Sequence, residues 1–170
     1  ITGGTLDFQA GSSYALNGGL VLEGGNLLLN AGSPFVLPPS THLQSGLLGG
    51  GDAKHVNTGI VFLWSGGTIA GGGLAVLSGG RMEMIPGGAK VLETGIANAG
   101  VIAWRGSDVA GPGSFTNLAG GVFEISGSGT LYPSLANAGR LVMDGANENA
   151  SLRGAFTNTG TVEVTAGTLH

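Results

Sequence analysis

The chain reads as an all-β parallel solenoid with about 20 residues per coil and three short strands in each. Three observations lead there. A short cassette of Asn or Ser, one or two spacers and a Gly before a strand keeps returning. Its Gly stands at Gly59, Gly80, Gly100, Gly121, Gly139 and Gly160, in steps of 21, 20, 21, 18 and 21 residues. A period of this length marks supersecondary units stacked one on the next. Glycine makes up 36 of 170 residues, yet only 6 are proline and 42% are apolar, which argues against both collagen and glycine-rich disorder. No 3.6-residue apolar pattern is sustained, so no helix is expected.

The first 56 residues are the least regular part of what reads as one domain. Gly4 followed by Leu6 and Phe8 fits the cassette, and so does Asn17-Gly18 followed by Leu20 and Leu22. Pro34, Pro38 and Pro39 then interrupt it. Proline cannot donate a ladder hydrogen bond, so a loop or distorted coil is expected over 33–56. Regular coils are expected over 57–170, as part of a longer solenoid or filament. The chain opens on Ile1 rather than Met, which fits a removed leader or a piece of a longer protein.

Within the regular coils, Val61, Met82, Ile102, Phe123, Leu141 and Val162 stand two residues after each Gly. Leu63, Met84, Trp104, Ile125, Met143 and Val164 stand four after. A period of two predicts a strand with one buried face. Phe62, Glu83, Ala103, Glu124, Val142 and Glu163 form the outward row between them. A second buried row is expected at Ile69, Val91, Val109, Leu131, Leu152 and Leu169, and a third at His55, Val76, Ile96, Phe115, Leu135 and Phe156. Residues 144–150 make the longest corner.

Stacking puts equivalent residues about 4.8 Å apart, so like sits on like. The Asn/Ser row is Asn57, Ser78, Asn98, Asn117, Asn137 and Asn158. A buried amide there can donate to one neighbour and accept from the other, so these residues are expected to staple turns rather than hold a ligand.

The segments Phe115-Thr116-Asn117, Leu135-Ala136-Asn137-Ala138-Gly139 and Phe156-Thr157-Asn158-Thr159-Gly160-Thr161-Val162 resemble the F-x-N-x-G-x-V cassettes of bacterial surface β-solenoids. Trp64-Ser65-Gly66-Gly67-Thr68-Ile69 and the stretch from Trp104 to Phe115 are similar to a W-x-G-G-x-I element of the same proteins. The resemblance covers 57–170. It implies an autotransporter-passenger-like or adhesin-like right-handed parallel β-helix, pectate-lyase-like in fold, in a secreted or cell-surface protein. The function it implies is extension and display as an adhesin, stalk or fibre, with itself as partner, end to end, and surface glycans as further partners.

The chemistry of the residues adds little to that expectation. A polysaccharide lyase or hydrolase on this scaffold, the alternative reading, would gather carboxylates on one face. Glu83, Glu124 and Glu163 share the outward row but on every second coil, a spacing of about 9–10 Å. No catalytic residue, cofactor or metal is therefore assigned. His42, His55 and His170 have no metal-ligand spacing. An ice-binding face, a further alternative, would need threonines in register from coil to coil, and they are not. Phe62 and Trp64, with the Glu row, make the one candidate contact patch, sticky or sugar-stacking.

With 6 basic and 10 acidic residues there is no basic patch for nucleic acid or an anionic membrane surface. No apolar run approaches the roughly 18 residues of a membrane helix, so no membrane insertion is expected. Cysteine is absent, so disulfides contribute nothing.

Overall fold

The computed structural model describes every residue except Tyr14, Ala15 and Asn17. The early cassette expected at Asn17-Gly18 thus lies partly outside the described residues. The chain forms about eight turns of parallel β-solenoid, about 21 residues each, with no helix among the described residues.

Each regular coil carries three strands. The first ladder stacks Val61–Trp64, Arg81–Met84, Val101–Trp104, Val122–Ile125, Arg140–Met143 and Thr161–Val164. The second stacks Gly67–Ile69, Lys90–Leu92, Val109–Ala110, Gly129–Leu131, Asn149–Leu152 and Thr168–Leu169. These two ladders belong to one sheet, because Val21–Leu29 and Thr41–Gly49 run through both near the N-terminal end. The third ladder is a separate seven-stranded sheet from Phe35–Val36 to Phe156–Asn158.

Period-two patterning builds the core. Met82, Ile102, Phe123 and Leu141 stack in one fully buried row, and Met84, Trp104, Ile125 and Met143 in the next. Phe115 and Phe123 meet edge to face at 5.6 Å, joining the third ladder to the first.

The cassette glycines from Gly80 onward are required by close stacking, whereas Gly59 has open space around it and a positive φ of 77°. A Cβ on Gly139 would stand 2.2 Å from the Gly121 carbonyl oxygen below it, and one on Gly160 would stand 2.1 Å from that of Gly139. Neither has a positive φ, so backbone approach rather than turn geometry selects glycine here.

The first regular coil departs from the expected register. Val61 pairs with Arg81 and Phe62 with Met82, so Phe62 and Trp64 join the buried rows and Leu63 takes the outward position. The corner explains the shift. Corners between the third and first ladders come in two lengths. Residues 57–60, 77–80 and 118–121 make four-residue corners with Gly59, Gly79 or Gly120 at positive φ. Residues 99–100, 138–139 and 159–160 make two-residue corners. Gly59 is therefore the equivalent of Gly79, and Ile60 stands where Gly80 stands.

Two other rows shift for similar reasons. Lys54 pairs with Leu74 and Leu74 with Ile96, so the third buried row runs Phe35, Lys54, Leu74, Ile96, Phe115 and Leu135, with Phe156 stacked on Leu135 but exposed. His55 is half-buried in the alternate, outward row, and Val76 pairs with Asn98. In the second ladder Leu92, not Val91, pairs with Ile69 and is buried. The proline-broken stretch is a full coil. Its prolines fall outside the strands, Pro34 just before Phe35–Val36 and Pro38 and Pro39 in the corner that follows it, where Thr41 Oγ1 donates to the Pro38 carbonyl at 2.7 Å.

Both tryptophans close corners. Trp64 Nε1 donates to the Gly67 carbonyl at 3.2 Å and Trp104 Nε1 to the Ser107 carbonyl at 2.9 Å. Gly67 and Ser107 both have positive φ, at 84° and 66°. A Trp104→Phe variant keeps most of the buried ring and loses this bond. It is expected to lower unfolding free energy by about 1–2 kcal/mol in urea titrations; no change would remove the corner role.

Candidate functional site

The amide row is the most ordered polar feature of the molecule. Asn98 Nδ2 donates to Asn117 Oδ1 at 2.8 Å, Asn117 Nδ2 to Asn137 Oδ1 at 2.7 Å, and Asn137 Nδ2 to Asn158 Oδ1 at 2.7 Å. Each of the three also donates to a main-chain carbonyl of the following coil: Val122 for Asn98 (2.9 Å), Arg140 for Asn117 (3.2 Å) and Thr161 for Asn137 (3.1 Å). Asn98, Asn117 and Asn137 are buried, and their ladder consumes them.

Asn57 and Ser78 stand outside that ladder, contrary to the row drawn from the sequence. Val56 and Val76 occupy the ladder position in their coils, which places Asn57 and Ser78 in the four-residue corners. Ser78 is exposed, and Asn57 is half-exposed with its Oδ1 buried and without a hydrogen-bond partner.

The outward carboxylates are ion-paired. Arg81 Nε donates to Glu83 Oε1 at 2.7 Å while Arg81 Nη2 reaches Glu124 Oε2 at 2.9 Å, two coils away. Ala103 lies between the two glutamates in the row and is fully buried, so one guanidinium bridges both across a small residue. Arg105 Nη2 adds a longer contact to Glu83 at 3.6 Å. Arg140 grips Glu163 with two nitrogens, at 3.1 and 2.6 Å. The hydrogen bond from Arg81 holds the Glu83 carboxyl below its ordinary range, and the bond from Arg140 does the same for Glu163. A general acid needs the opposite shift.

The candidate contact patch dissolves. Phe62 and Trp64 are fully buried core residues, and only the glutamates remain at the surface. The reason is the one-residue register shift at Ile60, which moves both rings to the inner face.

Three polar features carry no repeat signal in the sequence. Lys54 is fully buried in an otherwise apolar row, and its Nζ donates to the carbonyls of Gly50 at 3.2 Å and Ala70 at 2.9 Å. Burial lowers its pKa to about 8, against a smaller opposing pull from Asp52. Lys90 is buried in the same way, its Nζ on Ser107 Oγ at 2.7 Å, and burial lowers its pKa too. His42 Nε2 lies 2.8 Å from Ser65 Oγ, with the Gln44 amide nitrogen 3.2 Å from His42 Nδ1. With that amide donating, Nδ1 accepts, and Nε2 keeps its proton and donates to Ser65. The imidazole is not placed to take a seryl proton in this arrangement.

Shallow hollows mark the surface of the described residues. One, about 300 Å³, lies on the third ladder over Ala75, Ala97 and Thr116 and has no ionisable side chain in its lining. Another, about 400 Å³, lies where the short corner at 138–139 steps back from the long one at 118–121, with Arg140 at its edge. Among the described residues no group of three His, Asp or Glu could hold a metal ion, and no helix is long and apolar enough to cross a membrane.

Compared with known proteins, the chain matches no protein-family model, no curated protein and no solved structure.

Proposed function

We propose that this chain is a non-enzymatic structural segment of a secreted or cell-surface protein, a solenoid that extends and displays what is attached to it. One observation carries the reading. The polar groups that recur from coil to coil are already spent within the solenoid: the amides on each other, and Glu83, Glu124 and Glu163 on Arg81 and Arg140. Stacked main-chain ladders set the length, about 4.8 Å per coil.

Two measurements test it. Antibody against the chain should label intact, unpermeabilised cells of the source; signal confined to broken cells would refute the surface assignment. Incubation with a panel of neutral and acidic polysaccharides should release no new chain ends. Cleavage that disappears in a Glu83→Gln, Glu124→Gln double variant would establish the carbohydrate-active alternative instead.

A further inference from the structure

Both lysines of the chain are buried, but they are satisfied differently. Lys54 Nζ donates to two main-chain carbonyls, those of Gly50 and Ala70. Lys90 lies on the inner face of the second ladder, in register with Gly67 and Val109. Among the described residues its Nζ has one hydrogen-bond partner, Ser107 Oγ at 2.7 Å, and no carboxylate. Burial moves its pKa down from the ordinary 10.5.

Ser107 is unusual in its own right. It closes the Trp104 corner at the place that Gly67 fills in the Trp64 corner, and its φ of 66° is one that L side chains rarely adopt. A serine in a glycine's place is local strain held by its surroundings, and such strain clusters where a side chain must be aimed. Here it aims a hydroxyl at a buried amine. Ser107 is half-buried between the exposed Arg105 and Asp108, so the hydroxyl forms the surface end of the pair and the amine the inner end. The charged groups around the corner are engaged elsewhere. Asp108 Oδ1 accepts from the Thr130 main-chain N–H at 2.8 Å, and Glu148 takes the Ser128 hydroxyl. Arg105 donates to Ser126 Oγ at 2.9 Å and reaches Glu83 at 3.6 Å.

We infer that Ser107 is a nucleophile with Lys90 as its base, and that the pair takes one acyl group from an activated ester. A buried lysine without a counter-charge gives up its proton readily and then accepts one. Neutral Nζ accepts the Ser107 hydroxyl proton as Oγ bonds to the ester carbonyl carbon. The tetrahedral adduct collapses, the bond to the leaving oxygen breaks, and Nζ returns the proton to the departing alcohol or phenol. The chain ends with an ester on Ser107 and Lys90 as it began. The inference goes beyond the display function and leaves it standing, since a scaffold can carry an acyl group without turning over.

The test mixes the folded wild-type chain with p-nitrophenyl acetate at a series of pH values and maps its peptides by mass spectrometry. Ser107 should gain an acetyl group as p-nitrophenol is released in equal amount. The labelling rate should rise with pH as Lys90 loses its proton and level off below pH 10.5. Ser107→Gly should remove the label and keep the fold, because glycine already fills the matching corner at Gly67. Lys90→Met keeps the hydroxyl and should slow labelling by about a hundredfold or more. Circular dichroism checks that both variants are folded; should the methionine variant not fold, the wild-type pH profile decides. A wild-type chain that gains no acetyl, or gains it only on Lys90 or Ile1, overturns the inference. So does a Lys90→Met chain labelled at the wild-type rate, or a wild-type rate that keeps rising past pH 10.5. None of these outcomes touches the antibody labelling of intact cells, which tests the display function separately.

Discussion

Replacing Asn117 by Leu is expected to lower unfolding free energy by about 3–5 kcal/mol, among the largest effects of any single surface-neutral change in the chain. Asn117 sits in the middle of the ladder and is fully buried. The change leaves the Asn98 amide without the Asn117 oxygen and Asn137 Oδ1 without its donor, and it takes one donor from the Gly121 and Arg140 carbonyls. Each buried polar group left unpaired costs about 1–3 kcal/mol. Asn158→Ala, at the exposed end of the same ladder, should cost less than about 1 kcal/mol. Replacing Asn98, Asn117, Asn137 and Asn158 together by Val should cost less per site than the single change, because donors and acceptors leave as pairs. Val56 and Val76 already fill the position where no neighbouring amide needs a partner. Denaturant titrations of the three variants check the order. Equal costs for Asn117→Leu and Asn158→Ala would mean that the ladder is not cooperative.

Lys54→Met is expected to act in the opposite direction, stabilising the chain by about 1–2 kcal/mol at pH 7. The folded state holds Lys54 near pKa 8, below the ordinary value of 10.5, because burial disfavours the ammonium. Below pH 8 both states carry the proton, and the folded state bears the full penalty. Between pH 8 and 10.5 the unfolded chain binds more protons than the folded one, so wild-type stability rises with pH across that window. The methionine variant lacks the Lys54 share of that rise and keeps only the share of the other buried lysine, Lys90. Its advantage should shrink above pH 8 and reverse above about 10, where only the lost bonds to the Gly50 and Ala70 carbonyls remain. Thermal melts of both proteins from pH 6 to 10.5 measure this. A methionine variant that is less stable at pH 7 would mean that the carbonyl pair outweighs the buried charge.

The solenoid and its period were legible because stacking forces equivalent residues together, and the glycines at Gly80, Gly100, Gly121, Gly139 and Gly160 bear that mark directly. What stayed hidden was parity. Val61, Phe62, Leu63 and Trp64 are all apolar, so neither face of that strand announces itself, and the anchor on Gly59 chose the wrong one. The missing information was the corner length, which positive φ at Gly59, Gly79 and Gly120 sets at four residues rather than two. The same slip carried Asn57 and Ser78 into the amide row. Lys54 was invisible for a different reason. A lysine between Ala53 and His55 looks like a surface residue until the Gly50 and Ala70 carbonyls are seen to close around it. The ion pairs fall between these cases: alternate-coil glutamates were visible, but the reach of Arg81 across Ala103 depends on the three-dimensional stack.

The coils are joined to one another by ladders whose hydrogen bonds run along the long axis of the solenoid, while the covalent chain runs around it. Tension applied between the two ends therefore loads the coils in series rather than in parallel. Such a body yields by peeling, one coil at a time from an end. Each coil of about 21 residues releases on the order of 70 Å of slack as it straightens. Stretched between two attachments, such a solenoid lengthens in steps of one coil. The buried amides of Asn98, Asn117 and Asn137, each bonded to the coil that follows, mark the part that should resist peeling most.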